Sequence, residues 1–253
     1  MDKQQVIFED LGIMDYQSAW DYQESLLQEN VRRKSEVRNM LAINLEDGGN
    51  KLTTHDSRLT TQHHLLFVEH PSVYTLGKSG NMDNVLINEE MRSAKGIEFF
   101  RTNRGGDITF HGPGQIVGYP ILDLEKFYTD IGKYLRNIEE VIILTLAEYG
   151  IKGDRSQGET GVWIEPDIKG KERKICAIGV RSSRWITMHG FALNVASDLT
   201  GFLSITPCGL TGVRMTSLSL ELGREVTLEE VRDQAALVLE AEFGEAAVLT
   251  GER

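Results

Sequence analysis

Two cysteines in 253 residues, Cys176 and Cys208, are too few for a disulfide scaffold. Neither sits in a Cys-x-x-Cys pair that would bind zinc or cycle redox, so both are expected as free thiols. No run of about 18 apolar residues occurs, which excludes a hydrophobic spanning helix. The opening Met1-Asp-Lys-Gln-Gln-Val-Ile-Phe-Glu-Asp10 has no apolar core for a signal peptide, so the expected location is the cytoplasm, with no membrane association. Positive charge is also short: 27 Lys and Arg against 38 Asp and Glu leave −11, a surface that repels nucleic acid and anionic lipid. A protein or small-molecule partner is favoured instead. Repeats and low-complexity tracts are missing. Hydrophobic residues at 40% and charged residues at 26% are ordinary globular usage, and the length suits one sizeable core over residues 1–253.

Local patterns then place the elements. Asp15 is positioned to cap a long helix carrying Trp20, Leu27, Val31 and Leu41, ending near Ile43. Residues 46–62, with paired glycines and four threonines, read as a surface loop or inserted hairpin. Strands are expected from His64 to Glu69, continuing after Pro71 from Val73 to Leu76, then at Phe99 to Thr102, Ile108 to Phe110 and Ile116 to Leu122. The stripe Leu135, Ile138, Ile142 and Leu146 marks a helix between Asp130 and Gly150. Strand signals resume at Gly161 to Ile164, Lys174 to Arg181 and Trp185 to Asn194, the last two joined as a hairpin at Ser182 and Ser183. A final helix runs from Leu228 to Phe243, with Thr227 as cap and Glu230 at the capping-box position. This order lacks a regular βαβ alternation, so the expected fold class is α/β of the α+β type.

Two nucleotide-binding lookalikes fail. Gly77-Lys78-Ser79 ends like a phosphate-binding loop, but the required earlier glycine would fall at Ser72. Gly112-Pro-Gly114 with Gly118 is one residue too long for a dinucleotide fingerprint, and a strand pattern follows where a helix should start. What Arg104 to Gln115 offers is bare backbone. Glycines at 105, 106, 112 and 114 would let a substrate lie against main-chain N–H groups, or they serve two tight turns with His111 simply hydrogen-bonded.

Cys208 stands between Pro207 and Gly209, which puts its thiol on a turn and opens it to chemistry; the alternative is a small packed hydrophobe. A cysteine thiol is only slightly ionised at neutral pH, so a nucleophilic role needs a positive charge nearby. Lys174 is the candidate, because period-two alternation puts it with Cys176, Ile178 and Val180 on one face of a strand. It is otherwise the end of a solvated basic run with Lys169, Lys171 and Arg173. An ammonium about 4 Å from a thiolate, at an effective dielectric near 20, interacts by up to about 4 kcal/mol. His189 is a competing base, and Cys176, in mid-strand, a rival nucleophile that fits burial better.

Five segments together resemble the lipoyl (octanoyl) transferases, the LipB family. They are Leu66-Phe-Val-Glu-His-Pro-Ser-Val-Tyr-Thr-Leu-Gly77, Arg104-Gly-Gly-Asp-Ile-Thr-Phe-His-Gly-Pro-Gly-Gln115, Lys174-Ile-Cys-Ala-Ile-Gly-Val-Arg181, Trp185-Ile-Thr-Met-His-Gly-Phe-Ala-Leu-Asn194 and Pro207-Cys-Gly209. The likeness spans about residues 10 to 240. It implies Cys208 as acyl-thioester nucleophile and Lys174 as the lysine that promotes its ionisation. It also implies an acyl pocket built from Arg104, Gly105, Gly106, Asp107, Ile108, Thr109, Phe110 and His111, from Ala177, Ile178 and Gly179, and from Gly190, Phe191 and Ala192. Two departures stand out: Phe110 where the family commonly has tyrosine, and Cys176 where it has alanine or glycine.

The same resemblance implies the fold of the biotin and lipoate protein ligases and an acyltransferase activity. The donor would be octanoyl-acyl carrier protein, or lipoyl-acyl carrier protein. The acceptors would be lipoyl domains of 2-oxoacid dehydrogenase E2 subunits and the glycine cleavage H protein. No metal, ATP or other cofactor is implied, because a thioester is already activated. Two other readings stay open at this point: an ATP-dependent lipoate or biotin ligase on the same fold, and a silent lipoyl-domain-binding protein.

Overall fold

The computed structural model describes residues 4–46, 60–210, 212–242 and 247–250. Its strands are β1 (Gln4–Ile13), β2 (His63–Glu69), β3 (Val73–Leu76), β4 (Glu98–Arg101), β5 (Ile108–His111), β6 (Gln115–Ile121), β7 (Gly153–Asp154), β8 (Val162–Ile164), β9 (Arg173–Ser183), β10 (Ile186–Asn194), β11 (Arg214–Met215) and β12 (Ala247–Thr250). The helices are α1 (Tyr16–Glu46), α2 (Glu89–Ala94), α3 (Ile131–Glu148), α4 (Leu218–Leu222) and α5 (Leu228–Glu242). A mixed nine-stranded sheet runs β12-β1-β2-β6-β10-β9-β8-β7, with β11 against β9, beside a small sheet ordered β4-β3-β5. The expected α+β organisation is what is found.

Helix boundaries follow their caps. Asp15 Oδ1 accepts from the Ser18 amide at 2.9 Å and starts α1, which continues past the expected end near Ile43 to Glu46. Asp130 caps α3 through the Lys133 amide at 2.9 Å, and Thr227 Oγ1 accepts from the Glu230 amide at 3.2 Å to start α5. On α3 the side chains of Ile138, Val141, Ile142 and Leu146 are all buried against one sheet face with α5. Each contributes roughly 1.5–3 kcal/mol relative to exposure. The opposite face is covered by α1, where Ala19 and Leu27 meet Leu66, Tyr119 and Met188. Strand β10 shows the division: Phe191 and Leu193 enter the α3 and α5 core, Ile186, Met188 and Ala192 the α1 core.

Several local expectations change. The Val73 segment does not extend β2 within its sheet; Pro71, lacking an amide for the ladder, marks the exit to the small sheet, where β3 lies between β4 and β5. The β9–β10 hairpin turns on Arg184 and Trp185, at φ 51° and 67°, and not on Ser182 and Ser183. Positive φ at both central residues is the geometry that matches the twist of paired strands. The structure adds strands β1 and β12 to the elements expected from sequence, with Val6 and Phe8 of β1 buried. Of the expected 46–62 loop, residues 47–59 lie outside the described residues.

Candidate active site

Arg104 organises the glycine-rich segment from within. Its guanidinium is buried and donates to three carbonyls, Thr75 O at 2.5 Å, Asp107 O at 2.8 Å and Gly105 O at 2.9 Å, and to Thr75 Oγ1 at 2.9 Å. Burial pushes its pKa down from the ordinary arginine value. This arginine therefore folds the loop onto β3 and is not an exposed charge. The packing leaves no room at Gly77, where a Cβ would fall 2.2 Å from Gly106 O and 2.9 Å from Arg104 Nη1. The Gly77-Lys78-Ser79 turn thus serves the loop.

His111, at the end of β5, is held between Gln115 Oε1 at 2.8 Å and Thr75 Oγ1 at 3.2 Å, and stacks on Tyr16. Burial, assisted by His70, takes its pKa down to about 3, so the ring is neutral. His189 bonds Asn103 Oδ1 through Nε2 at 2.7 Å. Burial, then the charges of Arg104 and Arg181, lower it to about 3 as well.

Cys208 occupies a single turn, Pro207–Gly209, with φ 57° and ψ 17°. This left-handed conformation costs a non-glycine residue about 1–2 kcal/mol. Lys174, only 2% exposed, donates from Nζ to Cys208 Sγ at 3.2 Å and lies 5.1 Å above the Trp163 ring. The strand register explains the placement. Between Val162 and Trp163 of β8 the pairing with β9 slips, from Val162 opposite Cys176 to Trp163 opposite Lys174. This bulge breaks the period-two alternation, so Lys174 does not share a face with Cys176, as the sequence suggested. Ile175 and Cys176 pack in the α3 core while Lys174 lines the cavity. Burial raises the Cys176 pKa well above the usual thiol range, a setting for packing and not for attack.

Both partners open onto a cavity of about 200 Å³. That is below the roughly 300–1,000 Å³ of drug-sized ligand sites and suits one short chain. Of the residues expected there, Arg104, Gly106, Asp107, Ile108, Thr109 and His111 line it, with Ala177, Ile178, Gly179, Gly190, Phe191 and Ala192. Two do not. Phe110 turns away to pack with Tyr74 and Phe202, because alternation along β5 puts it opposite Thr109 and His111. Gly105 is spent on the wall, its amide donating to Val180 O at 2.9 Å. The structure adds Tyr16, Val117, Tyr119, His189 and the 158–160 segment. These come from α1, β6, β10 and a loop; His189 is already a candidate base from the sequence, whereas Tyr16, Val117, Tyr119 and the 158–160 segment carry no local signal and are gathered only by the fold. Among the described residues no cluster of three His, Cys, Asp or Glu side chains could hold a metal ion.

The basic run beyond β8 is divided. Lys169 and Lys171 are exposed, whereas Arg173 is bound by Glu221 at 2.5 Å and Glu165 at 2.6 Å. Arg173 is thus a tie between strand and helix, not part of a free basic patch.

The architecture is that of lipoate-attaching enzymes. A bipartite lipoate protein ligase from Thermoplasma acidophilum superposes with a TM-score of 0.64 at 15% identity, over 100% of this chain and 87% of the other. Lipoate-protein ligase A bound with ATP gives 0.63 at 14%, over 100% and 90%. At such identities the likeness concerns the fold. In sequence, residues 15–240 match the lipoyl protein ligase A/B catalytic domain. The octanoyltransferase of Christiangramia forsetii is 55% identical over 88% of this chain and 89% of its own length; that of Flavobacterium johnsoniae is 56% identical over 89% and 91%. The chain belongs to this family, among its octanoyltransferases.

Proposed function

We propose that Cys208 carries the octanoyl group as a thioester between octanoyl-acyl carrier protein and the ε-amino group of a lipoyl-domain lysine. The protein is an acyltransferase acting in protein lipoylation, as the octanoyltransferases at 55–56% identity support. The observation that carries the residue assignment is the 3.2 Å contact of Lys174 Nζ with Cys208 Sγ at a cavity of one-chain size.

In the first step the Cys208 thiolate adds to the donor's thioester carbonyl. The tetrahedral adduct collapses, the carrier thiolate leaves, and Lys174 supplies the proton that makes it a thiol. In the second step the neutral acceptor amine attacks the Cys208 thioester. An amide forms, the sulfur departs as thiolate, and Lys174, now neutral, takes the amine's surplus proton. Bare backbone at Gly106, Gly179 and Gly190 lets the chain lie close to the main chain. Arg104, Asp107, Ile108, Thr109, His111, Ala177, Ile178, Phe191 and Ala192 form the remaining wall in this reading.

The acceptors are lipoyl domains of 2-oxoacid dehydrogenase E2 subunits and the glycine cleavage H protein. The whole chain, 1–253, works as one catalytic domain in the cytoplasm. No helix among the described residues is long and apolar enough to cross a membrane.

The ligase fold raises one other reading, ATP-dependent attachment of the free acid. A lysine held on a thiol has no task in forming an acyl-adenylate, which favours direct transfer. Octanoyl-acyl carrier protein and apo lipoyl domain are expected to give octanoylated domain without ATP. Intact-mass spectrometry with donor alone is expected to show an octanoyl adduct on the wild type and none on Cys208→Ala. Equal adducts on both would overturn the role of Cys208, and transfer only with ATP would favour the ligase.

A further inference from the structure

Behind the lysine stands a carboxylate with no surface role. Glu139, on α3, is 0% exposed. Its Oε2 accepts from Arg155 Nε at 2.9 Å and pairs with Arg136 Nη1 at 2.9 Å. Its Oε1 accepts from the Gly161 amide at 3.0 Å. Buried carboxylate oxygens need hydrogen-bond partners, and here one oxygen is left for a single backbone N–H. Arg155 also binds Glu140 at 2.5 Å, so Glu139 belongs to a network with two arginines and a further carboxylate.

Gly161 is the link to the site. Its φ is 121°, and a Cβ there would lie 2.5 Å from Cys176 O, 2.7 Å from Lys174 Cε and 3.3 Å from Lys174 Nζ. The backbone of Gly161 is thus pressed against the bulged part of β9 and forms the floor along which the lysine stem runs. Trp163, two residues on, holds the ammonium from the side. A lysine side chain has four rotatable bonds and loses rotamer freedom when fixed, so a floor of this kind decides how often Nζ is at Sγ.

We propose that Glu139 is a positioning residue for the transfer: by holding the Gly161 amide it fixes the surface that directs Lys174 onto Cys208. The proposal rests on the reading in which Lys174 and Cys208 run the reaction. Glu139→Gln keeps the size but places an amide among two guanidinium donors and the Gly161 N–H. Three donors then compete for one neutral oxygen.

The test is the rate at which iodoacetamide alkylates Cys208 at pH 7 in the full chain, read by peptide mass spectrometry, alongside kcat and KM for octanoyl transfer. In Glu139→Gln the alkylation rate and kcat are expected to fall together by about tenfold, equal to 1.36 kcal/mol, with the KM for the donor carrier within about twofold. Gly161→Ala, whose Cβ would meet both the lysine stem and the Cys176 carbonyl, is expected to slow alkylation in the same way. Glu139→Asp, which keeps the charge for the two arginines but draws it back from the Gly161 amide, is expected to do so as well and serves where Glu139→Gln does not fold. A lowered melting temperature with unchanged alkylation and kcat in the folded variant would overturn the proposal. Lys174→Met separates the two levels. If it slows alkylation and the Glu139 and Gly161 variants do not, only the positioning role fails; if Lys174→Met has no effect, the reading beneath it fails too.

Discussion

Lys174 Nζ and Cys208 Sγ lie 3.2 Å apart although 34 positions separate them in the chain. The lysine comes from a bulged strand, the cysteine from a left-handed turn, and neither geometry is set by the residues between them. Replacing Lys174 by methionine keeps the length of the stem and removes the charge. The rate of octanoyl adduct formation on Cys208 is expected to fall about 100-fold or more, with little change in thermal stability. Stopped reactions followed by intact mass check it, and an undiminished rate would remove the lysine from the mechanism.

Backbone contact between β6 and β10 leaves no room for a side chain at their crossing. A Cβ at Gly190 would sit 2.1 Å from Gly118 O, which is main chain and cannot rotate aside. Gly190→Ala is expected to cost about 1–3 kcal/mol by overpacking. At about 2–4 °C per kcal/mol for a chain near this length, the melting temperature should drop by several degrees in calorimetry. An unchanged transition would mean that the strands separate freely.

Acid should unfold this protein early. Burial lowers the pKa of His63 and His70 to about 4 and of His111 and His189 to about 3, from 6.5 in the open chain. Between those values the unfolded chain binds protons that the folded chain refuses, so stability rises with pH there and is lost as pH falls below 6.5. Each histidine contributes up to about 1.4 kcal/mol per pH unit in that window, against a total stability of about 5–15 kcal/mol. Urea titrations at pH 7.5, 6.5, 5.5 and 4.5 are expected to show a flat region and then a steep decline. Constant stability down to pH 4.5 would contradict neutral burial.

The exposed ammonium groups of Lys169 and Lys171 are available to an acidic carrier, whereas Arg173 is engaged by Glu165 and Glu221. Reversing the two lysines to glutamate is expected to raise the donor KM severalfold and flatten its dependence on salt, with kcat retained. Arg173→Ala, by contrast, should lower the melting temperature by loosening β9 from α4. Unchanged donor kinetics in the double reversal would move the docking surface elsewhere.

Much of the framework is legible locally. The Asp15, Asp130 and Thr227 caps and the α3 stripe depend on residues within one or two turns, so position and burial could be read from spacing. Strands β5, β6, β9 and β10 carry enough β-branched and aromatic residues to stand out as well. Strand β1 does not, because its apolar run Val6-Ile7-Phe8 is only three residues long between Gln4-Gln5 and Glu9-Asp10, a pattern that also fits a polar segment. The assignment of Val73–Leu76 as part of β2 failed for another reason: which sheet a strand joins is decided by its partners, β4 and β5.

Composition and spacing by themselves fixed the inventory: a free thiol on a turn, a lysine entering an apolar strand, bare glycine backbone and an α+β order of elements. They fixed these because each follows from the covalent identity of a few neighbouring residues. Only the tertiary structure decided that the β8–β9 bulge separates Lys174 from Cys176, that Phe110 leaves the cavity, that Arg173 is neutralised, and that Glu139 reaches the site through Gly161. Those outcomes depend on how strands from distant parts of the chain register and which face each side chain is then given, a choice made by the packing of the whole core.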